Sequence, residues 1–161
     1  MPKAVALTTL ALAAACAGPP CGETEAKVAR VIDGDTIELE SGVRVRYLLV
    51  DTPEMSRDCF AENGKSFNSG MVLGKTVRLS YDERCNDDFG RSLAYVSVDG
   101  QEVNSVLVQR GYACVLFIPP DGATRVDEFD ALEREANIAR RGLWSACHPL
   151  PRACPGRRSR E

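Results

Sequence analysis

Between residues 27 and 98 apolar and polar positions mostly alternate, and beyond that stretch the period becomes helical. Residues 27–32 carry Val28, Val31 and Ile32, Asp33-Gly34 supplies a hairpin turn, and residues 36–40 resume with Ile37 and Leu39 against acids. Ser41-Gly42 makes a second turn, and residues 43–50 read as a third strand that completes a meander. The end of that strand, Arg46-Tyr47-Leu48-Leu49-Val50-Asp51-Thr52-Pro53-Glu54, runs from a cation through an apolar stretch into two carboxylates. A continuous apolar run of this kind fits a core strand, and Pro53 ends the ladder because it has no N–H to donate.

Phe60, Phe67 and Met71 then recur at helical spacing, with Gly74 as the stop. Residues 76–81 alternate Val77, Leu79 and Tyr81 against polar residues, 82–90 are turn-rich and acidic, and 91–98 form a fifth strand. That strand carries Ala94, Val96 and Val98 on one face and Leu93 and Tyr95 on the other, so both faces are expected to be covered. A short helix follows over 103–110, stopped by Gly111, and then a brief apolar extended segment over 112–118. The last helix, over 127–141, places Phe129, Leu132, Ala136 and Ala139 on one face, and Trp144 is expected to pack its end. A meander plus two strands, with a helix after the third strand, fits an α+β, mainly β fold: a five-stranded OB-type Greek-key barrel with three helices.

With 44% hydrophobic residues in 161, the chain has enough apolar content for one globular domain. Residues 1–22 stand apart as a leader and short linker, 23–148 form the domain, and 149–161 a basic tail. Lys3 precedes an uncharged, Ala-rich run over 4–17, shorter than the ~20 residues that span a bilayer, so the run reads as the apolar region of an export signal. Ala13-Ala14-Ala15 and Ala15-Cys16-Ala17 both suit signal peptidase, while Leu12 to Cys16 resembles a lipoprotein box that would lipidate Cys16 and anchor the protein to a membrane. Both routes place the protein outside the cytoplasm, either secreted or periplasmic or lipid-anchored.

Setting Cys16 aside leaves Cys21, Cys59, Cys85, Cys114, Cys147 and Cys154, an even number behind an export signal, which argues for disulfides. Of the 15 pairings that six cysteines allow, Cys59 with Cys85 is taken as the single best choice, worth roughly 3 to 4 kcal/mol in the chain-entropy model. With no Cys-x-x-Cys pair and His148 as the lone histidine, a zinc site has nothing to build on. The net charge of −3 does not suit a protein that holds nucleic acid by bulk charge, so any such attraction has to be local.

The chemistry concentrates around Asp51, Thr52 and Glu54, whose crowded oxygens suit a hard cation such as calcium or magnesium, although the same residues also make an ordinary acidic turn. Val31-Ile32-Asp33-Gly34-Asp35-Thr36, the stretch from Arg46 to Glu54, Asp88-Phe89-Gly90-Arg91-Ser92-Leu93-Ala94-Tyr95 and Val103-Asn104 occur in an order that closely resembles the staphylococcal nuclease (thermonuclease) family over about residues 27–145. The resemblance implies the OB barrel with three helices. It also implies a calcium site made by Asp35, Asp51 and the Thr52 carbonyl, Glu54 as general base, and Arg46 and Arg91 as the guanidinium groups on the scissile phosphate. The activity implied is hydrolysis of DNA and RNA by a monomer, cutting the 5′ P–O bond to leave 3′-phosphates.

Hydrolysis of a phosphodiester adds negative charge at phosphorus, which a hard cation and planar Arg forks stabilise. Read singly, Arg91 is a surface arginine after a turn and Asp35 a turn acid, and Asp33 reads mainly as a turn residue. Strict alternation puts Arg46 and Asp51 on opposite faces, so the site requires a bend or strand end near Val50. Where the family has basic and tyrosyl nucleotide contacts, this chain has Asp88 and Phe89, with Phe117 further on; Phe89 and Phe117 remain candidates to stack on bases. The alternative from another class is a non-catalytic OB module that binds nucleic acid or a protein partner.

Overall fold

The computed structural model describes residues 21–154, so the leader with its two processing routes and Cys16 lies outside the described residues, as do positions 155–161. Five strands close a barrel: β1 (Glu25–Val31), β2 (Thr36–Leu39), β3 (Arg44–Tyr47), β4 (Thr76–Ser80) and β5 (Ser92–Val98). Antiparallel pairing runs β3-β2-β1-β4-β5, and a parallel pairing of β3 with β5 shuts the ring. The two-residue β6 (Gln101–Glu102) extends β5 as a hairpin. This is the mixed, closed α+β barrel expected from the pattern.

Alternation decides which side chains fill the barrel: Val28, Ile37, Leu39, Val45, Tyr47, Val77, Leu79 and Val96 are all buried. β5 is buried along nearly its whole length because its outer face is covered by helix α2 (Val103–Gln109), against which α3 (Val126–Ile138) packs in turn. The first helix, α1 (Ala61–Val72), buries Ala61, Gly64, Asn68 and Val72 rather than the expected aromatic row. Phe60 instead precedes the helix in the left-handed region at φ 73°, and Phe67 stacks on Tyr112 at 4.2 Å. A one-turn helix, α4 (Leu143–Ala146), carries the buried Trp144 into a second, smaller core with Cys114, Ala136, Leu143, Cys147 and Cys154. Residues 149–154 of the expected tail lie against that core through Cys154. Among the described residues no helix is long and apolar enough to cross a membrane.

The expected Cys59–Cys85 pairing is overturned. Among the described residues three disulfides form: Cys21–Cys85, Cys59–Cys147 and Cys114–Cys154. The fold lays the segment before β1 beside the 82–91 loop, and it brings α4 against the loop after Glu54, so the partners come from sequence separations of 64 and 88 residues. Spacing along the chain carries no trace of either approach.

Candidate active site

The strand expected over 43–50 ends at Tyr47. Leu48 still donates its N–H to Ala94 O at 3.0 Å, but Leu49 then adopts φ 59°, which turns the chain out of the ladder. Asn104, fully buried, holds this exit: its amide donates to Leu48 O at 2.9 Å, and its side-chain oxygen accepts from the Val96 N–H at 2.9 Å. The Leu49 side chain lies over Gly122, where a Cβ would come within 2.5 Å of Leu49 Cδ2, so only glycine fits. Past the turn, Asp51 and Cys114 exchange both backbone hydrogen bonds at 2.9 Å. The required bend therefore exists, placed at Leu48 and Leu49.

That bend brings Arg46 onto the acids. Its Nε lies 3.3 Å from Asp35 Oδ1, its Nη2 donates to Asp51 Oδ1 at 2.9 Å, and its Nη1 donates to the carbonyls of Tyr47 and Val50. Asp35 Oδ2 accepts from the Thr52 N–H at 2.8 Å and the Thr52 hydroxyl at 2.9 Å, while Thr36 donates to Oδ1 at 3.0 Å. Asp35 and Thr52 are each 5% exposed, so these bonds fix the carboxylate almost out of solvent. Gly34 permits the approach, because a Cβ there would stand 2.6 Å from Thr52 Cγ2. Asp33, read from sequence mainly as a turn residue, accepts the Asp35 N–H at 3.1 Å and adds its charge to the group.

The acids outnumber the single guanidinium among them. Burial pushes Asp51 up to about 6 against the opposing pull of Arg46, with Asp35, Glu54 and Asp33 adding repulsion; burial and then Asp35 push Asp33 up to about 6. Among the described residues no three His, Cys, Asp or Glu side chains gather into a cluster shaped for a metal ion. The hard oxygens gathered on Arg46 are instead those of the Asp35 and Asp51 carboxylates. These are hard donors in a region of uncompensated negative charge, which is the chemistry calcium requires. Glu54 is exposed, with its N–H donating to Asp58 Oδ2 at 3.1 Å and its carbonyl accepting from the Asp58 N–H at 3.0 Å. The Cys59–Cys147 bridge ties that loop to α4.

The 82–91 loop is the second part of the site, and only Arg46 of the group above shares a cleft with it. Asp87 organises it: Oδ1 accepts from the N–H groups of Phe89 and Arg91 at 2.9 Å each, and Oδ2 from Arg91 Nε at 2.6 Å. Phe89 is 85% exposed, with the Arg91 guanidinium 5.6 Å from its ring centre. Arg46, Arg91 and Phe89 line one cleft of about 210 Å³. Phe117 is not among the residues lining it; its side chain packs against the main core while its neighbours Leu116 and Ile118 reach the cleft. Sequence reading passed over Asp87, although an acid four residues before an arginine across a glycine turn is the available signal.

Residues 44–146 match the family described as staphylococcal nuclease homologue. The chain belongs to the staphylococcal nuclease family. The matched stretch holds Arg46, Asp51, Thr52, Glu54 and Arg91; Asp35 precedes it and joins through its bonds to Thr52. Among relatives in this family, an Escherichia coli O157:H7 protein named as an uncharacterized endonuclease is 35% identical over 81% of this chain and 84% of its own length. Endonuclease YncB of Bacillus subtilis is 35% identical over 80% of this chain and 68% of its own length. The thermonuclease of Staphylococcus intermedius is 33% identical over 73% of this chain and 74% of its own length.

Proposed function

We propose that this chain is an exported, calcium-dependent nuclease that hydrolyses the phosphodiester bonds of DNA and RNA with little sequence preference. It is a phosphodiester hydrolase by family, and relatives named endonuclease and thermonuclease support that reaction class. The observation that carries the reading is the convergence of Arg46, Asp35, Asp51 and Thr52 in one bonded group, with Arg46 and Arg91 lining the same cleft.

Asp35, Asp51 and the Thr52 carbonyl would hold calcium, which supplies a hard positive charge to orient phosphate and water. Arg91 keeps its guanidinium end towards the cleft because Asp87 binds only its Nε, and Arg46 is fixed in the same cleft; together they stabilise the charge that builds up on the phosphate oxygens. Glu54, exposed at the strand exit, takes the proton of the attacking water. The water oxygen bonds to phosphorus, the bond to the 5′ oxygen breaks, and the leaving oxygen takes a proton from solvent. Three disulfides in the folded domain support an oxidising, extracytoplasmic location, by secretion or through a lipidated Cys16.

Single-stranded DNA incubated with the purified protein, with calcium or with a chelator, beside the Glu54→Gln variant, tests the reading. Digestion is expected with calcium alone, and Glu54→Gln is expected to lower kcat by about 10²- to 10⁴-fold with the fold intact. Equal digestion in all three samples would refute the mechanism.

A further inference from the structure

Three arginines line the 210 Å³ cleft, and the mechanism uses two of them. The third, Arg84, is fixed at its base. Its backbone N–H donates to Asp121 Oδ1 at 2.8 Å and its Nε to Asp121 Oδ2, and Asp121 is only 2% exposed. Its far end is not fixed in the same way: the side chain is 38% exposed, Nη2 reaches only the Ile118 carbonyl at 3.4 Å, and Nη1 has no partner among the described residues. Arg91 has the same design, with Nε bound to Asp87 and the guanidinium end without a protein acceptor among the described residues. Arg46 differs, because Nε, Nη1 and Nη2 all face protein oxygens. The cleft therefore presents two outward guanidinium ends and one recessed one.

A buried acid that grips only the base of an arginine orients the rest of it, and a planar fork held in this way is suited to a phosphate. Asp88, exposed on the same loop, has the wrong sign for such a contact. The same cleft is lined by Phe89, 85% exposed, and Ile118, 54% exposed, which offer apolar surface to a base. We infer that Arg84 binds a second, non-scissile phosphate of the nucleic-acid strand, so that the preferred substrate carries a phosphate next to the one that is cut. This rests on the nuclease reading above.

The test measures binding of a labelled single-stranded 12-mer and of a dinucleoside monophosphate to protein carrying Glu54→Gln, which slows cleavage so that binding can be read before the substrates are cut. Loss of one phosphate contact lowers the slope of log K against log salt by about 0.7 for single strands. Adding Arg84→Gln is expected to lower the 12-mer slope by that amount and to leave dinucleoside affinity unchanged. Arg84→Gln with Asp121→Asn, which leaves no unpaired buried acid, is expected to do the same, with melting temperature as the check on folding. An unchanged 12-mer slope in both variants, or equal weakening of both probes, overturns the inference while the nuclease reading stands. Glu54→Gln protein with Arg84 intact that binds neither probe overturns both.

Discussion

The two parts of the site, the acid group that meets the cleft through Arg46 and the loop that lines it, are built on opposite principles. On the barrel side, Asp35 and Thr52 are sealed from solvent, and Arg46, Asp51 and Thr36 are bonded to them or to each other, so geometry is fixed by strand pairing and hydrogen bonds. On the loop side, Phe89 stands in solvent, Arg91 is about one-third exposed, and the loop is shaped by one aspartate and one disulfide. The barrel side concentrates like charge at a cost to the fold, and the loop side presents cations at little cost. Fixed acids suit a hard cation, whose coordination needs rigid oxygens, whereas arginines on an open loop suit a substrate that arrives and leaves.

The largest expected effect comes from removing the loop's tether. Cys21→Ala with Cys85→Ala is expected to lower stability by about 4 kcal/mol, since the bridge spans 64 residues. Urea denaturation measures the loss, and below the transition calcium affinity should stay near wild type, because no residue of the barrel side is touched. Weakened calcium binding in the folded variant would mean that the two parts are not separate.

Asp51→Asn should act in the opposite direction on stability. The Asp51 carboxyl in the folded protein titrates at about 6, above its ordinary value, so its contribution to folding is greatest when protonated and is lost as pH rises from about 4 through about 6. Above pH 7 in chelator, the asparagine variant is expected to be more stable than wild type by about 2 kcal/mol, with the gain vanishing near pH 4 and nuclease activity lost throughout. Denaturation midpoints across pH check this; a destabilised variant at pH 8 would show that the acids are compensated within the fold.

The smallest effect is assigned to Phe89→Ala: no change in melting temperature, with binding of single-stranded DNA weakened by about 1 kcal/mol through lost stacking. Fluorescence anisotropy reads the affinity, and a shift in melting temperature would show that the loop side carries fold stability after all.

The barrel was legible because alternation and turn residues act locally: Ile37, Val45, Leu79 and Val96 point inward as the pattern requires. The α1 face was not, because its buried positions include Gly64 and Asn68, which hydrophobic periodicity does not count. Nor was the strand exit. Leu49 at positive φ looks like any core leucine in sequence, and its turn is stabilised by Asn104 and Gly122, residues more than 50 positions away. The same non-locality hid the disulfide partners. The residues of the site were legible through motif resemblance, while their assembly depends on that single turn.

The central claim is that the recessed Arg46 and the more open Arg91 act on one phosphate. A double-mutant cycle on kcat/KM, with Arg46→Gln, Arg91→Gln and the pair, tests it most directly. Shared action predicts that the paired loss falls short of the sum of the single losses by roughly 0.5 to 3 kcal/mol, whereas losses that add to within about 0.5 kcal/mol would mean that the two arginines act on different groups.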